Sequence, residues 1–493
     1  MPPLRLRSGG SWRWALLRRP GVAVCLGLAA CTVGPDYQRP PVAVPERWKE
    51  ATPSDEALRG LWWKLFGDPA LDALEEKARE ANPGVAMAVA RVAQAGAALR
   101  AAGSDRYPSL TATPSATTQR MYTGVVPGKD DAVFRDVYIA QLNLSYEIDL
   151  WGRVRRSVEA AGAAYEASRA DLEVVRLGIS AEVAQLWFQL RHADLDGAIL
   201  REAVELRRQT LGLAEARLRN GIASELEVAE ARSALAQAES DAEGIRRTRA
   251  LLEHALASLT GDPAPNVTLP AQTGTVAVPA VPVALPSELL ERRPDIARAE
   301  RQMMAANARI GVAKAAYFPT LNLAALAGFE SIEIDTLFRW DNRIWSLGAS
   351  ALAPIFQGGK NDARLELARA QYEEALAVYR QQTLVAFQEV EDALSSLRAL
   401  ARQAEAQARL VEASERAASL SRARYEQGLS SMLEVVVAQR SLLQARRGAN
   451  QIHRDRLLAS VLLLRALGGG WKSEADRSRQ EPQTGERGYG PRK

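Results

Sequence analysis

Cysteine, histidine and uninterrupted apolar stretches are scarce in this chain. Of its 493 residues two are Cys and three are His. Both cysteines, Cys25 and Cys31, fall within the first 31 positions, so no disulfide framework can hold the body together. His192, His254 and His453 stand apart, with no Cys or second His at metal-ligand spacing. A Gly-rich phosphate loop and a nucleophile motif are both missing. Gly358-Gly359 lacks the Lys-Ser/Thr of a nucleotide loop and reads as a bend between two elements. These absences leave enzyme chemistry and a resident metal or cofactor without footing.

Gly and Pro are themselves missing from one long interval. Lys360 to Gln427 runs sixty-eight residues without either, the two residues that disfavour a helix interior by about 1 and 3 kcal/mol against Ala. Two rows recur there every seven residues: Leu376, Thr383, Val390, Leu397, Ala404, Val411 and Ala418, and Leu365, Tyr372, Tyr379, Ala386, Ala393 and Leu400. A sustained heptad predicts helices wound side by side, here a rod about 100 Å long. Pro is likewise absent from Gly128 to Asp262, and Trp151 to Arg219 has the same length and helix-forming composition.

Both rods end in one turn, written twice. Ala216-Arg-Leu-Arg-Asn-Gly-Ile-Ala-Ser-Glu-Leu-Glu-Val228 aligns with Ala423-Arg-Tyr-Glu-Gln-Gly-Leu-Ser-Ser-Met-Leu-Glu-Val435 at a shift of 207. Upstream, Pro83 falls on Pro294 and Tyr107-Pro108 on Phe318-Pro319 at a shift of 211. The chain is an internal two-fold duplication. Helices are predicted over Pro83–Asp105 and Pro294–Ala316, with Pro in the first turn of each. The stretches returning beside the rods are predicted over Ser224–Thr260 and Ser287–Ala316, about 55 and 45 Å long.

Residues 1–30 carry five Arg and no acid, then a short apolar run from Gly21 to Ala30. This pattern predicts an export signal, too short to span a membrane. Leu28-Ala-Ala-Cys31 resembles a bacterial lipoprotein box, which implies a lipidated Cys31 as the new first residue. Thr32 after it implies sorting to the outer membrane; the alternative is an ordinary export signal with an incidental Cys. Removal of five Arg turns the formal charge of +4 into −1, so the basic pI of 9.0 gives no support to nucleic-acid binding.

After each first helix the pattern changes to period two. Tyr138, Ala140, Leu142, Leu144, Tyr146 and Ile148 interleave with Gln141, Asn143, Ser145 and Glu147, and comparable rows run through Leu321–Phe329 and Trp345–Ala353. Apolar-out, polar-in strands fit a membrane β-barrel with a wet lumen, although half-buried soluble strands read similarly. Two hairpins, with loops Met121–Val133 and Glu330–Arg343, give four strands, and four cannot close a barrel. An open edge in lipid costs several kcal/mol per unpaired backbone group, so chains must combine.

Cys31-Thr-Val-Gly-Pro-Asp-Tyr37, Trp62-Trp63…Phe66-Gly-Asp-Pro69, Tyr146…Asp149-Leu-Trp-Gly-Arg153, Arg292-Arg-Pro-Asp295, Phe356-Gln-Gly-Gly359 and the paired Gly-turns together resemble the TolC-like outer-membrane efflux proteins, in their NodT-type lipoprotein branch. The resemblance covers about Cys31 to Trp471. It implies an α+β membrane protein: a trimer sharing a twelve-stranded β-barrel, four strands per chain, continued by a long antiparallel α-helical barrel through the periplasm. It also implies a passive duct for drugs, metal ions or other solutes, docked to a periplasmic adaptor and an inner-membrane RND-type pump. No cofactor is expected beyond the lipid on Cys31, and no nucleic acid.

The expected organisation is a signal peptide over 1–30 and a lipid-anchored, Pro-rich tether with the first helices over 31–81. A first repeat spans 82–260, with β-hairpin 107–149 and helical hairpin 151–260. A linker over 261–286 leads to a second repeat over 287–471, with β-hairpin 318–355 and helical hairpin 360–467, and a disordered tail spans 472–493. The resemblance places Gly221, Ser224, Gly428 and Ser431 at adaptor-docking tips. It places Leu433, Glu434 and Val437 at the periplasmic aperture, Val437 standing where relatives often carry Asp. Two other readings of the same residues are an exit duct for type I secretion and, in a different class, a lipid-anchored coiled-coil spacer without transport.

Overall fold

The structure, a computed structural model, describes residues 32–49, 60–122, 132–283 and 286–471. The expected signal peptide over 1–30, Cys31, residues 123–131 and the expected tail over 472–493 lie outside the described residues. The chain divides into two compact units. One holds residues 99–161 and 305–372 with the N-terminal segment to Tyr37; the other holds 38–98, 162–304 and 373–493.

The first unit is built on four antiparallel strands in chain order: β1 (Ser109–Tyr122), β2 (Ala132–Ile148), β3 (Thr320–Ser331) and β4 (Arg343–Leu352). Because side chains alternate across a strand, register decides which residues share a face. Leu142 lies opposite Ala112 and Ala327, Leu144 opposite Leu110 and Ala325, and Ala327 opposite Trp345. One face is therefore apolar across all four strands. The other carries Thr111, Thr113, Gln141, Asn143, Asn322, Ser346 and Ser350, tied in part by Asn143 Nδ2 donating to Thr113 Oγ1 at 2.6 Å.

At the foot of β2 the chain turns from strand to helix through Asp149-Leu-Trp-Gly-Arg153. Asp149 accepts from the backbone N–H groups of Val154 and Arg155 at 3.1 and 2.9 Å, satisfying orphan donors of a first helical turn. Arg153 forks onto Glu147 at 2.8 and 2.7 Å. Trp151 stacks on Phe318 and donates to the carbonyl of Pro319 at 2.8 Å. The N-terminal segment is seated on the same unit: Val33 N–H donates to Trp151 O, Arg156 pairs with Asp36 at 2.6 Å, and Asn307 Nδ2 holds Pro35 O. Gly34 crosses so close to Gly311 that a Cβ on it would sit 2.5 Å from the Gly311 Cα.

In the second unit, Trp62, Trp63 and Phe66 form a buried 3-10 turn leading into α1 (Pro69–Ala81). They pack with Leu71, Trp187, Phe188 and Leu190 as a core, and Trp187 Nε1 donates to Asp68 Oδ2 at 2.8 Å. The helix α2 (Pro83–Ser104) follows. The Pro-rich segment 38–49 forms neither helix nor strand and is pinned: Trp48 is buried on Phe387, and Lys49 N–H donates to Glu391.

Two helices are of equal length, α3 (Arg153–Arg219) and α6 (Lys360–Glu426), at 67 residues each. Their returning partners, α4 (Glu225–Leu259) and α7 (Met432–Ala466), have 35 each. Along α6 both heptad rows supply buried residues, Tyr379, Ala386 and Ala393 from one and Thr383, Val390 and Ala418 from the other, with Ala368, Leu394 and Ser414 buried beside them. The returning stretch over Ser287–Ala316 is broken where the helix start expected at Pro294 falls. A short turn ends at Arg292, Arg293 is extended at φ −102°, ψ 123°, and α5 begins afresh at Pro294 and runs to Ala315. Pro294 explains it, because its ring clashes with a helical preceding residue. The break turns Arg293 inward: it is buried, pairs with Asp295 and Glu389 at 2.6 and 2.7 Å, and donates to Ala466 O.

Candidate functional site

The two Gly-turns share one geometry. In the first, the N–H of Gly221 donates to Leu218 O and that of Ile222 to Arg217 O; in the second, Gly428 donates to Tyr425 O and Leu429 to Arg424 O. These paired bonds close a helix by the Schellman arrangement. It requires a left-handed residue, and Gly221 and Gly428 sit at φ +70° and +73°. Each returning helix then opens on a serine cap: Ser224 Oγ accepts from Glu227 N–H and Ser431 Oγ from Glu434 N–H.

Beyond the backbone the copies diverge. Arg217 donates to Tyr425 O at 2.8 Å and lies 4.4 Å over the Tyr425 ring, while Tyr425 Oη donates to Glu227 Oε2 at 3.0 Å. Burial and the Glu227 carboxylate together hold the Tyr425 phenol above its ordinary pKa. Glu227 also reaches back to Ser224 N–H, completing a capping box. The two turns are thereby bolted together over a small apolar cluster of Ala214, Val228, Ala231, Met432 and Val435.

The duplicate of this clamp is half empty. Tyr425 corresponds to Leu218, Glu227 to Glu434 and Arg217 to Arg424. With a leucine where a hydroxyl would stand, the Glu434 carboxylate makes no hydrogen bond or ion pair with any described residue. It is exposed, as are its neighbours on the same stretch of α7, Leu433 at 53% and Val437 at 54%. Thus Leu433, Glu434 and Val437 form one open face, while Met432, Val435 and Gln439 are buried behind it, Gln439 on Thr210. The spacing of the turns was readable in the sequence. The Tyr425–Glu227–Arg217 clamp was not: its trace, Tyr425 against Leu218, is one of several mismatches between the two copies of the turn.

Further along, α7 is held by charge: Arg446 bridges Glu202 and Glu415 at 2.9 and 2.8 Å, and Arg447 pairs with Asp196 at 3.0 Å. Among the described residues no cluster of His, Cys, Asp and Glu could hold a metal ion.

A profile described as "Outer membrane efflux protein" matches the chain twice, over residues 74–262 and 285–469. The chain belongs to the outer membrane efflux protein family. The pyoverdine export outer membrane protein OpmQ of Pseudomonas aeruginosa is 36% identical over 469 residues, covering 92% of this chain and 97% of that relative. The cation efflux system protein CusC of Escherichia coli O157:H7 is 32% identical over 460 residues, 91% and 98% of the two chains. Among solved structures, the outer-membrane channel OprN superposes with a TM-score of 0.83 at 33% identity, covering 90% of this chain and 100% of that one. The open-state MtrE channel of Neisseria gonorrhoeae gives 0.79 at 30% identity, with 90% and 99% covered. The expected α+β fold, with long antiparallel helices and four strands, is the fold of this family. Its members are channels rather than enzymes. This efflux protein is accordingly an outer-membrane channel component of tripartite efflux systems, a passive duct.

Proposed function

We propose that three copies of the chain share one twelve-stranded barrel, dock by their Gly-turn tips onto a periplasmic adaptor fed by an RND-type pump, and narrow at Leu433 and Glu434. The carrying observation is the sheet. It is apolar on one face and polar on the other, and β1 and β4 each pair on one side only among the described residues. Edges like these cannot face lipid unpaired. Two copies would give eight strands, whose interior side chains fill; three give twelve, enough for an open lumen. Apolar side chains away from the packed seams, such as Met87 and Val89 on α2 and Leu384 and Leu410 on α6, offer surface to neighbouring copies.

Three copies of Glu434 around an axis would form an acidic ring beside a Leu433 constriction. Like charges held together raise one another's pKa and draw cations into the mouth. The leucine opposite Glu434 supports this reading, since no described residue pairs with its carboxylate.

The lipoprotein branch is part of the same proposal. Thr32 lies against Gly152 at the foot of β2, where a Cβ on Gly152 would meet the Thr32 methyl at 2.6 Å. A lipid on the preceding residue, Cys31, is the anchor this reading calls for, and the seating of Thr32 beside the end of β2 supports it. Several acyl chains together bind firmly where one is marginal.

The test is conductance. Purified protein in a planar bilayer is expected to open ion-conducting pores; a protein that binds the bilayer without conducting would be a spacer and would overturn the duct. Mass spectrometry of the N-terminal peptide is expected to show a diacylglyceryl thioether and an amide-linked fatty acid on Cys31, and an unmodified Cys31 would overturn the lipoprotein assignment.

A further inference from the structure

The β3–β4 loop is a built feature with an apolar underside. Ser331 Oγ and Thr336 Oγ1 share a hydrogen bond, Asn342 Nδ2 donates to Thr336 O at 2.8 Å, and Leu337 is buried. This scaffold leaves Phe338 and Trp340 each 72% exposed. Phe338 meets Phe329 edge-on at 5.7 Å. Phe329 belongs to the apolar face, being paired with Ala140 and Arg343. The loop therefore folds down over the apolar side of the sheet, away from the polar one. Between them lies a cleft of about 630 Å³, floored by Ala112, Ala140, Leu142 and Ala327 and walled by Trp340 and Trp345.

Its position is fixed by strand length. From Thr320 at the foot of β3 to Phe329 beside the cleft is about 30 Å of strand at ~3.3 Å per residue. Tilted by roughly 40°, that rise comes to about 23 Å, close to the ~25 Å apolar band of outer-membrane barrels. The cleft thus opens at the outer headgroup level. One cation stands there. The Arg343 guanidinium donates to Trp340 O at 2.8 Å and lies 4.7 Å over the Trp340 ring, and it makes no ion pair with any described residue.

We infer that this cleft holds one acyl chain of an anionic membrane lipid, with the lipid phosphate on Arg343. The apolar floor excludes a polar ligand, the volume suits a chain, and the unpaired guanidinium at headgroup height selects negative charge. This goes beyond the duct and rests on the apolar face being the lipid face. The loop would then be fastened to the membrane by a bound lipid rather than by contacts of its own.

The experiment uses the intrinsic Trp fluorescence of the purified protein in phosphatidylcholine vesicles, doped with brominated-chain phosphatidic acid or brominated-chain phosphatidylcholine. Trp340→Phe assigns the part of the quenching that arises at the cleft. An interfacial Arg is worth about 1 kcal/mol against an anionic headgroup, so phosphatidic acid is expected to quench at about five-fold lower mole fraction. Arg343→Gln is expected to erase that preference, Arg343→Lys to keep it, and Ala327→Phe to weaken quenching by both lipids. Inorganic phosphate is expected to leave the signal unchanged. Equal quenching by both lipids in the parent protein, a preference that survives Arg343→Gln, or displacement by phosphate alone would overturn the lipid site. Absence of quenching by either lipid would overturn the membrane orientation beneath it, a different failure.

Discussion

Glu75 shows how much a single buried group can set. It is fully buried in α1, its two oxygens and the Ser180 hydroxyl are without well-formed hydrogen bonds, and its pKa is pushed up to about 8. Burial is the main cause; Ser180 and Arg79 oppose the shift and Asp72 adds to it. The folded chain therefore holds a proton that the unfolded chain releases near pH 4.5. Stability attributable to this group falls as pH rises from about 4.5 towards 8 and then levels off. At roughly 1.4 kcal/mol per pKa unit the loss reaches a few kcal/mol at most. Glu75→Gln is expected to raise the thermal midpoint at pH 8 and leave it nearly unchanged at pH 4.5, measured by circular dichroism across that range. The two turn glutamates make a second contrast. Glu434→Gln is expected to reduce cation selectivity in a planar bilayer at low salt, where screening is weakest. Glu227→Gln is expected to do so less, because Tyr425 and Ser224 already occupy that carboxylate. The sequence marks both glutamates as equivalent. Their difference comes from Leu218, a residue whose importance depends on a contact with the other half of the chain.

At the scale of the element, the turns carry the sharpest expectation. Gly221 and Gly428 hold a backbone that a β-branched residue adopts only at a cost of roughly 1–2 kcal/mol. Gly428→Val is expected to lower efflux, read as drug accumulation in cells, while the trimer and its membrane level persist. A Cβ at either position meets little, so strain rather than collision is the cause. Normal efflux would remove the tips from any docking role. Long elements were legible beforehand because missing Gly and Pro and a seven-residue period leave few alternatives. The β faces were equally legible, since alternation alone fixes them once the strands pair in register. The helix start at Pro294 was legible from the proline itself; the stretch drawn back to Ser287 was not interrupted there, because the clash of Pro294 with a helical Arg293 is local and leaves the apolar pattern unchanged. The downward fold of the Ile334–Asn342 loop left no periodic trace, so nothing in the sequence set Phe338 and Trp340 over the apolar face.

For the whole molecule, the proposal of three shared copies is checked by cysteines placed along β1 and β4. Oxidation is expected to give a crosslinked ladder that stops at three chains; a ladder ending at two, or a monomer in detergent keeping all its strand content, would defeat it. What could be read of the whole from the sequence was the duplication and the need for partners. Their number followed from closing a barrel, an argument about geometry rather than about any one residue.

The two half-paired strands carry a consequence for inheritance. In the proposed trimer every β1 needs a neighbour's β4, so a chain with a spoiled edge does not simply drop out; it takes two sound chains with it. Where a damaged allele and an intact one are expressed equally, random assembly leaves roughly one trimer in eight free of the damaged chain. Edge lesions that still trimerise should therefore behave as dominant poisons in a merodiploid cell, whereas a lesion that prevents folding altogether should be recessive.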